Sequence, residues 1–160
     1  MGSVKDTDRG YKKAIRSLRK AAGKRHVVVG IRSEKGSATA EGDSLNLAGI
    51  AAVNEFGSKD GHVPERSFLR STFDAGKDRY AGVIDQALGR VADGTSDIEK
   101  ELGLLGLRVT ADVQKTIVAG IDPPNAPSTI RRKRGSSGQL RDTGRLIGSL
   151  DSEVRGGSAS

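Results

Sequence analysis

Four side chains capable of acid–base or cation chemistry fall between positions 55 and 65: Glu55, Asp60, His62 and Glu65. Carboxylates beside an imidazole can hold a hard cation through oxygen or move a proton. Their setting favours another reading. Lys59 and Arg66 interleave positive charge, and Asp60-Gly61 is turn chemistry, so the group reads as a solvated loop tip rather than an active site. Material for catalysis elsewhere is thin. Two histidines and no cysteine leave too few N and S ligands for a zinc site and no thiolate chemistry. Gly23 and Gly30 lack the phosphate-loop pattern, and no Gly-x-Ser-x-Gly elbow occurs. The expectation is a non-enzyme with no cofactor and no metal.

The elements that must position this loop are two helices. Asn54-Glu55-Phe56-Gly57 closes an apolar run, and glycine just past the last periodic residue is the usual helix stop. Ser58-Lys59-Asp60-Gly61 turns the chain, and Pro64 holds Val63 extended. Ser67 is the expected N-cap of the next helix. All three phenylalanines, Phe56, Phe68 and Phe73, lie here, and the expectation is that they lock the junction from inside. The exposed residues Lys59, Asp60, His62, Glu65 and Arg66 then form a docking surface.

Around this junction the periodicity predicts an α+β fold, with a small, mostly antiparallel sheet packed by about four helices. Residues 1–7 read as a disordered arm. Asp8 can cap a first helix reaching about Ala22, with Ile15 and Leu18 on its apolar face. His26–Ile31 is the clearest strand, being short and β-branched. Ser37–Ala40 is a candidate second strand. Helices follow over Leu45–Phe56, from Leu69 to near Gly94, and from a Ser96 cap along the stripe Ile98, Leu102, Leu105, Val109, Val113 and Ile117. Gly76 and Gly82 suggest a bend, and Gly103 and Gly106 a close helix–helix approach. The prolines of Asp122–Pro127 stop the last long helix. Residues 122–140 read as a mobile basic segment with a short turn at Thr129–Arg134. Asp142–Ser149 reads as a short helix, Leu150–Val154 as a weak closing strand, and 156–160 as a disordered tail. One domain spans 8–155, with its exposed loop at 57–66. So small a sheet leaves edges in need of partners.

The net charge of +7 is unevenly spread: +7 over residues 1–25, −3 over 26–121 and +3 over 122–160. Basic ends of this kind can contact nucleic-acid phosphates, here through Lys12, Lys13, Arg16, Arg19 and the run Arg131-Arg132-Lys133-Arg134. Base stacking has little to work with, because Tyr11 is the one aromatic in these basic segments. Solvated helix faces and subunit contacts account for the same charges. No apolar run approaches the roughly 18 residues of a membrane span, and the N-terminus is charged rather than an apolar leader core. A soluble, unsecreted protein with no membrane partner is expected.

Two stretches together resemble a known family. The first is Val53-Asn-Glu-Phe-Gly57, a variable loop, then Val63-Pro-Glu-Arg-Ser-Phe-Leu-Arg70. The second is Pro127-Ser-Thr-Ile-Arg-Arg-Lys133, a glycine-rich gap, then Leu140-Arg-Asp-Thr-Gly-Arg-Leu-Ile-Gly-Ser149. In that order, with two helices between them, they resemble the tail-completion and tail-to-head joining (neck, virion morphogenesis) proteins of long-tailed bacteriophages. The resemblance covers most of residues 26–155. It implies a structural virion protein with a small sheet packed by helices, assembled as a homo-oligomeric ring of roughly six or twelve copies. Its implied partners are portal-side connector proteins, the tail tube protein and the genomic DNA in the channel. Its implied place is the virion neck, reached from the host cytoplasm during assembly. Family members often carry proline where this chain has Ser67, and further closing strands beyond Arg155.

Under this reading Lys59, Asp60, His62, Glu65, Arg66, Arg70, Arg131, Arg132 and Lys133 serve docking and ring contacts. The alternative is a basic accessory protein making non-specific phosphate contacts with DNA.

Overall fold

The structure, a computed structural model, describes residues 11–21, 23–32, 37, 45–132, 140 and 144–156. Among these are six helices and two strands, in the order α1 (Tyr11–Ala21), β1 (His26–Ile31), α2 (Leu47–Phe56), α3 (Phe68–Ala92), α4 (Ile98–Ala119), α5 (Pro127–Arg132), α6 (Arg145–Ser149) and β2 (Leu150–Arg155), an α+β fold. The expected Asp8 cap and residues 38–40 of the second candidate strand lie outside the described residues.

β1 and β2 pair antiparallel, with Val27 opposite Val154, Val29 opposite Ser152 and Ile31 opposite Leu150. The closing strand is thus the partner of the first. Opposed residues share a face of the sheet, and this face meets α4, with partly buried Val29 and Ile31 and buried Leu150 packed into the core. The other face carries His26, Val28 and Glu153.

The long antiparallel pair α3–α4 is the second layer. Val109, Val113 and Ile117 of α4 are buried with Phe68 and Tyr80 of α3, Leu47 and Ala51 of α2, and Leu146 of α6. Phe68, Val113 and Ile117 are almost fully enclosed, each contributing about 1.5–3 kcal/mol by burial. The predicted stripe on α4 is therefore the core stripe. Polar contacts fix the pairing of the two helices. The Thr72 hydroxyl meets that of Thr116 at 2.7 Å, and the Tyr80 hydroxyl donates to Asp112 Oδ2 at 3.1 Å. Arg90 Nε donates to Glu101 Oε1 at 2.9 Å.

Several boundary expectations are corrected. α4 is capped by Asp97, whose side chain accepts from Lys100 N at 2.8 Å, not by Ser96. It ends at Gly120, φ 92°, before the first proline is reached. α3 runs as one continuous helix through Gly76. A Cβ there would stand 2.4 Å from the Tyr80 ring, so the glycine makes room for that ring. Gly106 serves helix–sheet rather than helix–helix approach. Its Cβ would meet Ser152 Oγ at 2.7 Å and Val27 Cγ1 at 3.1 Å, whereas a Cβ at Gly103 meets nothing within 4 Å. Gly156, assigned to the tail, sits against the Lys24 carbonyl.

Candidate functional site

α2 begins with an Asn46 cap, its side chain accepting from Gly49 N at 2.8 Å, and stops at Gly57. The φ of 77° there suits glycine, and a side chain would press on the returning chain at Glu65 N, 3.2 Å away. Between Gly57 and Pro64 the loop closes on itself. Ser58 N donates to Val63 O at 2.9 Å, and Val63 N donates to Ser58 Oγ at 2.8 Å. Ser58 Oγ in turn donates to Asp60 Oδ1 at 2.5 Å, and His62 N reaches the same oxygen at 3.1 Å. The donated Ser58 hydrogen bond, with that of His62 N, holds the Asp60 carboxyl below its usual pKa. Lys59, Asp60, Gly61 and His62 form the exposed tip.

The acid–histidine group does not converge. Only Asp60 and His62 meet, with 3.2 Å between Asp60 Oδ2 and His62 Nδ1 at the surface. Glu55 is buried, 4% exposed, and both its oxygens are engaged. Ser67 Oγ donates to Oε1 at 2.7 Å, Leu69 N to Oε2 at 2.9 Å and Arg70 N to Oε1 at 3.0 Å. Glu55 therefore caps α3. Ser67 occupies the N-cap position, but its hydroxyl makes no capping bond. A carboxylate at the positive end of a 25-residue helix gains from the dipole as well as the hydrogen bonds. Among the described residues, no group of three or more His, Cys, Asp or Glu could hold a metal ion.

Arg66 overturns its assignment to the docking surface. It is 7% exposed, and its guanidinium donates from Nε to Pro123 O at 2.8 Å and from Nη2 to Pro124 O at 3.2 Å. Its backbone N–H donates to Asn54 O at 2.7 Å. Burial pulls its pKa down from the usual arginine value, although the group stays cationic at neutral pH. Arg66 is thus a clamp between the loop, the end of α2 and the linker that leads into α5. Glu65 and Arg70 pair with each other at the surface.

The three phenylalanines divide. Phe68 is enclosed, but Phe56 is 68% and Phe73 40% exposed, so one ring, not three, locks the junction. Phe73 lies edge-on to Tyr80, centroids 6.2 Å apart. Arg131 is exposed on α5, as are Lys12, Arg16 and Arg19 on α1. The side chains of Lys13 and Arg132, and all of Lys133, lie outside the described residues.

Sequence reasoning missed an exposed apolar stripe on α4 formed by Leu104, Leu107 and Val118. The signal was available: these three residues fall off the core stripe of the same helix. Among the described residues no helix is long and apolar enough to cross a membrane. No family model, curated protein or solved structure matches the chain.

Proposed function

We propose that this chain is a structural subunit of a long-tailed bacteriophage neck, completing the tail and joining it to the DNA-filled head as a ring around the DNA channel. The observation that carries the reading is the Arg66 clamp. The two stretches that resemble the neck family are far apart in sequence, yet Arg66 of the first holds Pro123 and Pro124, immediately before Pro127 opens the second. The first stretch and the linker that leads into the second are thereby held at one junction by a buried cation. The fold supports the reading in a second way, since several large apolar side chains remain at the surface of a small subunit, where assembly would cover them.

In this role the Lys59–His62 tip meets a connector or tail-tube surface, and the virion neck is the site of action. Replacing Lys59 and His62 by alanine keeps every loop-closing bond of Ser58 and Val63, so the fold is retained. The expected result is unchanged thermal stability with loss of head–tail joining in an assembly extract. Normal joining by this variant assigns the tip a connecting role only. Purified protein that neither forms rings nor binds purified tails or connectors overturns the neck reading.

The exposed cations of α1 favour one second reading, a DNA-contacting accessory protein. It requires affinity for duplex DNA that falls steeply with salt. A gel shift without binding at low salt removes it.

A further inference from the structure

From the outer faces of α3 and α4 we infer that copies of this chain associate head to tail, the α4 face of one seated on the α3 face of the next. This rests on the ring reading and names its interface. At about 100° per residue, the α4 side chains that meet α3 (Glu101, Asp112, Thr116) and the glycine that meets the sheet (Gly106) leave a third direction free. Leu104, Leu107 and Val118 point that way, each more than half exposed. Arg108 and Lys115 border them, both exposed, with Lys115 Nζ 3.7 Å from Asp112 Oδ1 of its own helix. From Leu104 to Val118 the stripe is about 21 Å long at 1.5 Å per residue.

The complementary surface lies on α3. On α3, Tyr80 and Thr72 face α4, and Asp74, Asp78 and Asp85 project from the far side, all exposed. Between the acids this face offers the small residues Ala75, Ala81 and Gly82, with exposed Lys77 at its edge. Among the described residues nothing gives Gly82 a reason, because a Cβ there would meet none of them within 4 Å and helices disfavour glycine. A close approach from another molecule supplies that reason.

The two faces match in three respects. Bulky leucines meet a flat strip of small residues, as ridges require grooves. Arg108 and Lys115 are seven residues apart, as are Asp78 and Asp85, so both pairs repeat at about 10 Å. Positive meets negative, which fixes orientation and register. The α4 face cannot pair with itself so well, since Arg108 and Lys115 would meet their own kind. The contact is therefore heterologous, and a heterologous contact that closes by rotation makes a ring.

The test uses the full chain in light scattering after size exclusion and in negative-stain imaging. Gly82→Leu fills open space, so its melting temperature should hold or rise while assembly weakens at least tenfold. Arg108→Glu with Lys115→Glu, and separately Asp78→Lys with Asp85→Lys, should each give folded monomers. Mixed in equal amounts, the two variants should re-form rings of alternating copies. Rings that survive Gly82→Leu and both charge reversals overturn the interface, and so does a wild-type chain that is monomeric at every concentration. A monomeric chain that still joins heads to tails overturns this interface while leaving the neck reading. Rings that break as described but bind neither tails nor connectors uphold the interface and remove the neck reading.

Discussion

Replacing Glu55 by alanine should destabilise the protein more than any other single change in the loop junction. The carboxylate accepts three hydrogen bonds, from Ser67 Oγ, Leu69 N and Arg70 N, at 2.7–3.0 Å. Losing a helix cap costs about 0.5–2 kcal/mol, and hydrogen bonds to a charged acceptor contribute about 1.5–3 kcal/mol each before water replaces them. Arg70 is exposed and Leu69 half-buried, so water recovers part of the loss at their amides. The expected net cost is about 2–4 kcal/mol, or roughly 5–15 °C in Tm for a chain of this length. Glu55→Gln keeps the shape but one acceptor oxygen, and should cost about half as much. Urea denaturation measures both, with the m-value unchanged if the native fold is kept. Amide exchange gives the location, because Leu69 and Arg70 should lose protection selectively. An alanine variant within about 0.5 kcal/mol of wild type would refute the capping role.

Other substitutions test the remaining contacts. Arg66→Lys keeps the charge but cannot present two fixed donors to Pro123 O and Pro124 O; it should lose about 1–2 kcal/mol and expose residues 121–126 to limited proteolysis. Gly106→Ala pushes a methyl group into Ser152 and Val27 and should cost about 1–3 kcal/mol by thermal melting. Gly82→Ala meets open space and should stabilise the unassembled chain by up to about 1 kcal/mol. The Arg90 guanidinium holds the Glu101 carboxyl down to about 2, against 4.5 ordinarily. Because the folded value is the lower one, this pair's contribution is fully present above pH 4.5 and lost as pH falls towards 2. The difference in Tm between wild type and Glu101→Gln should therefore shrink across that window and stay constant from pH 5 to 7.

Periodicity made the architecture legible and left the junction largely hidden. The β-branched run of β1 and the core stripe of α4 are repeating signals, and both elements lie where those signals put them. Boundaries depended on local chemistry, which misled where the partner was remote. Ser67 has the residue type of a cap, yet the cap comes from Glu55, upstream on another helix. Arg66 looks like any loop cation until its carbonyl partners, more than fifty residues away, are brought beside it. Phe56 and Phe73 illustrate the opposite error. Aromatic residues gathered in sequence need not be gathered in space, since α2 and α3 each turn one of them outward. Pattern arguments register what repeats within an element, and the contacts that fix this junction occur once and between elements.

That division bears on where function can reside. Glu55 has both carboxylate oxygens, and Arg66 its Nε and Nη2, engaged inside the fold, so neither can be given to a partner without loosening α3 or the linker. Glu65 and Arg70 are satisfied by each other at the surface, where such pairs are worth about 0–1 kcal/mol and exchange readily for a partner's charges. The tip from Lys59 to His62 is held by the bonds of Ser58 and Val63, and its side chains carry none of the core. A surface that can change its contacts without cost to its own fold is what the proposed joining role requires. The apolar stripe of α4 differs in kind. Leu104, Leu107 and Val118 gain nothing from water and are best satisfied by permanent cover, as in an obligate subunit interface. On the proposed neck reading, the chain separates a polar, exchangeable contact at one end of α3 from an apolar, lasting one along α4. Disrupting the first should spare rings and abolish joining, whereas disrupting the second should abolish both.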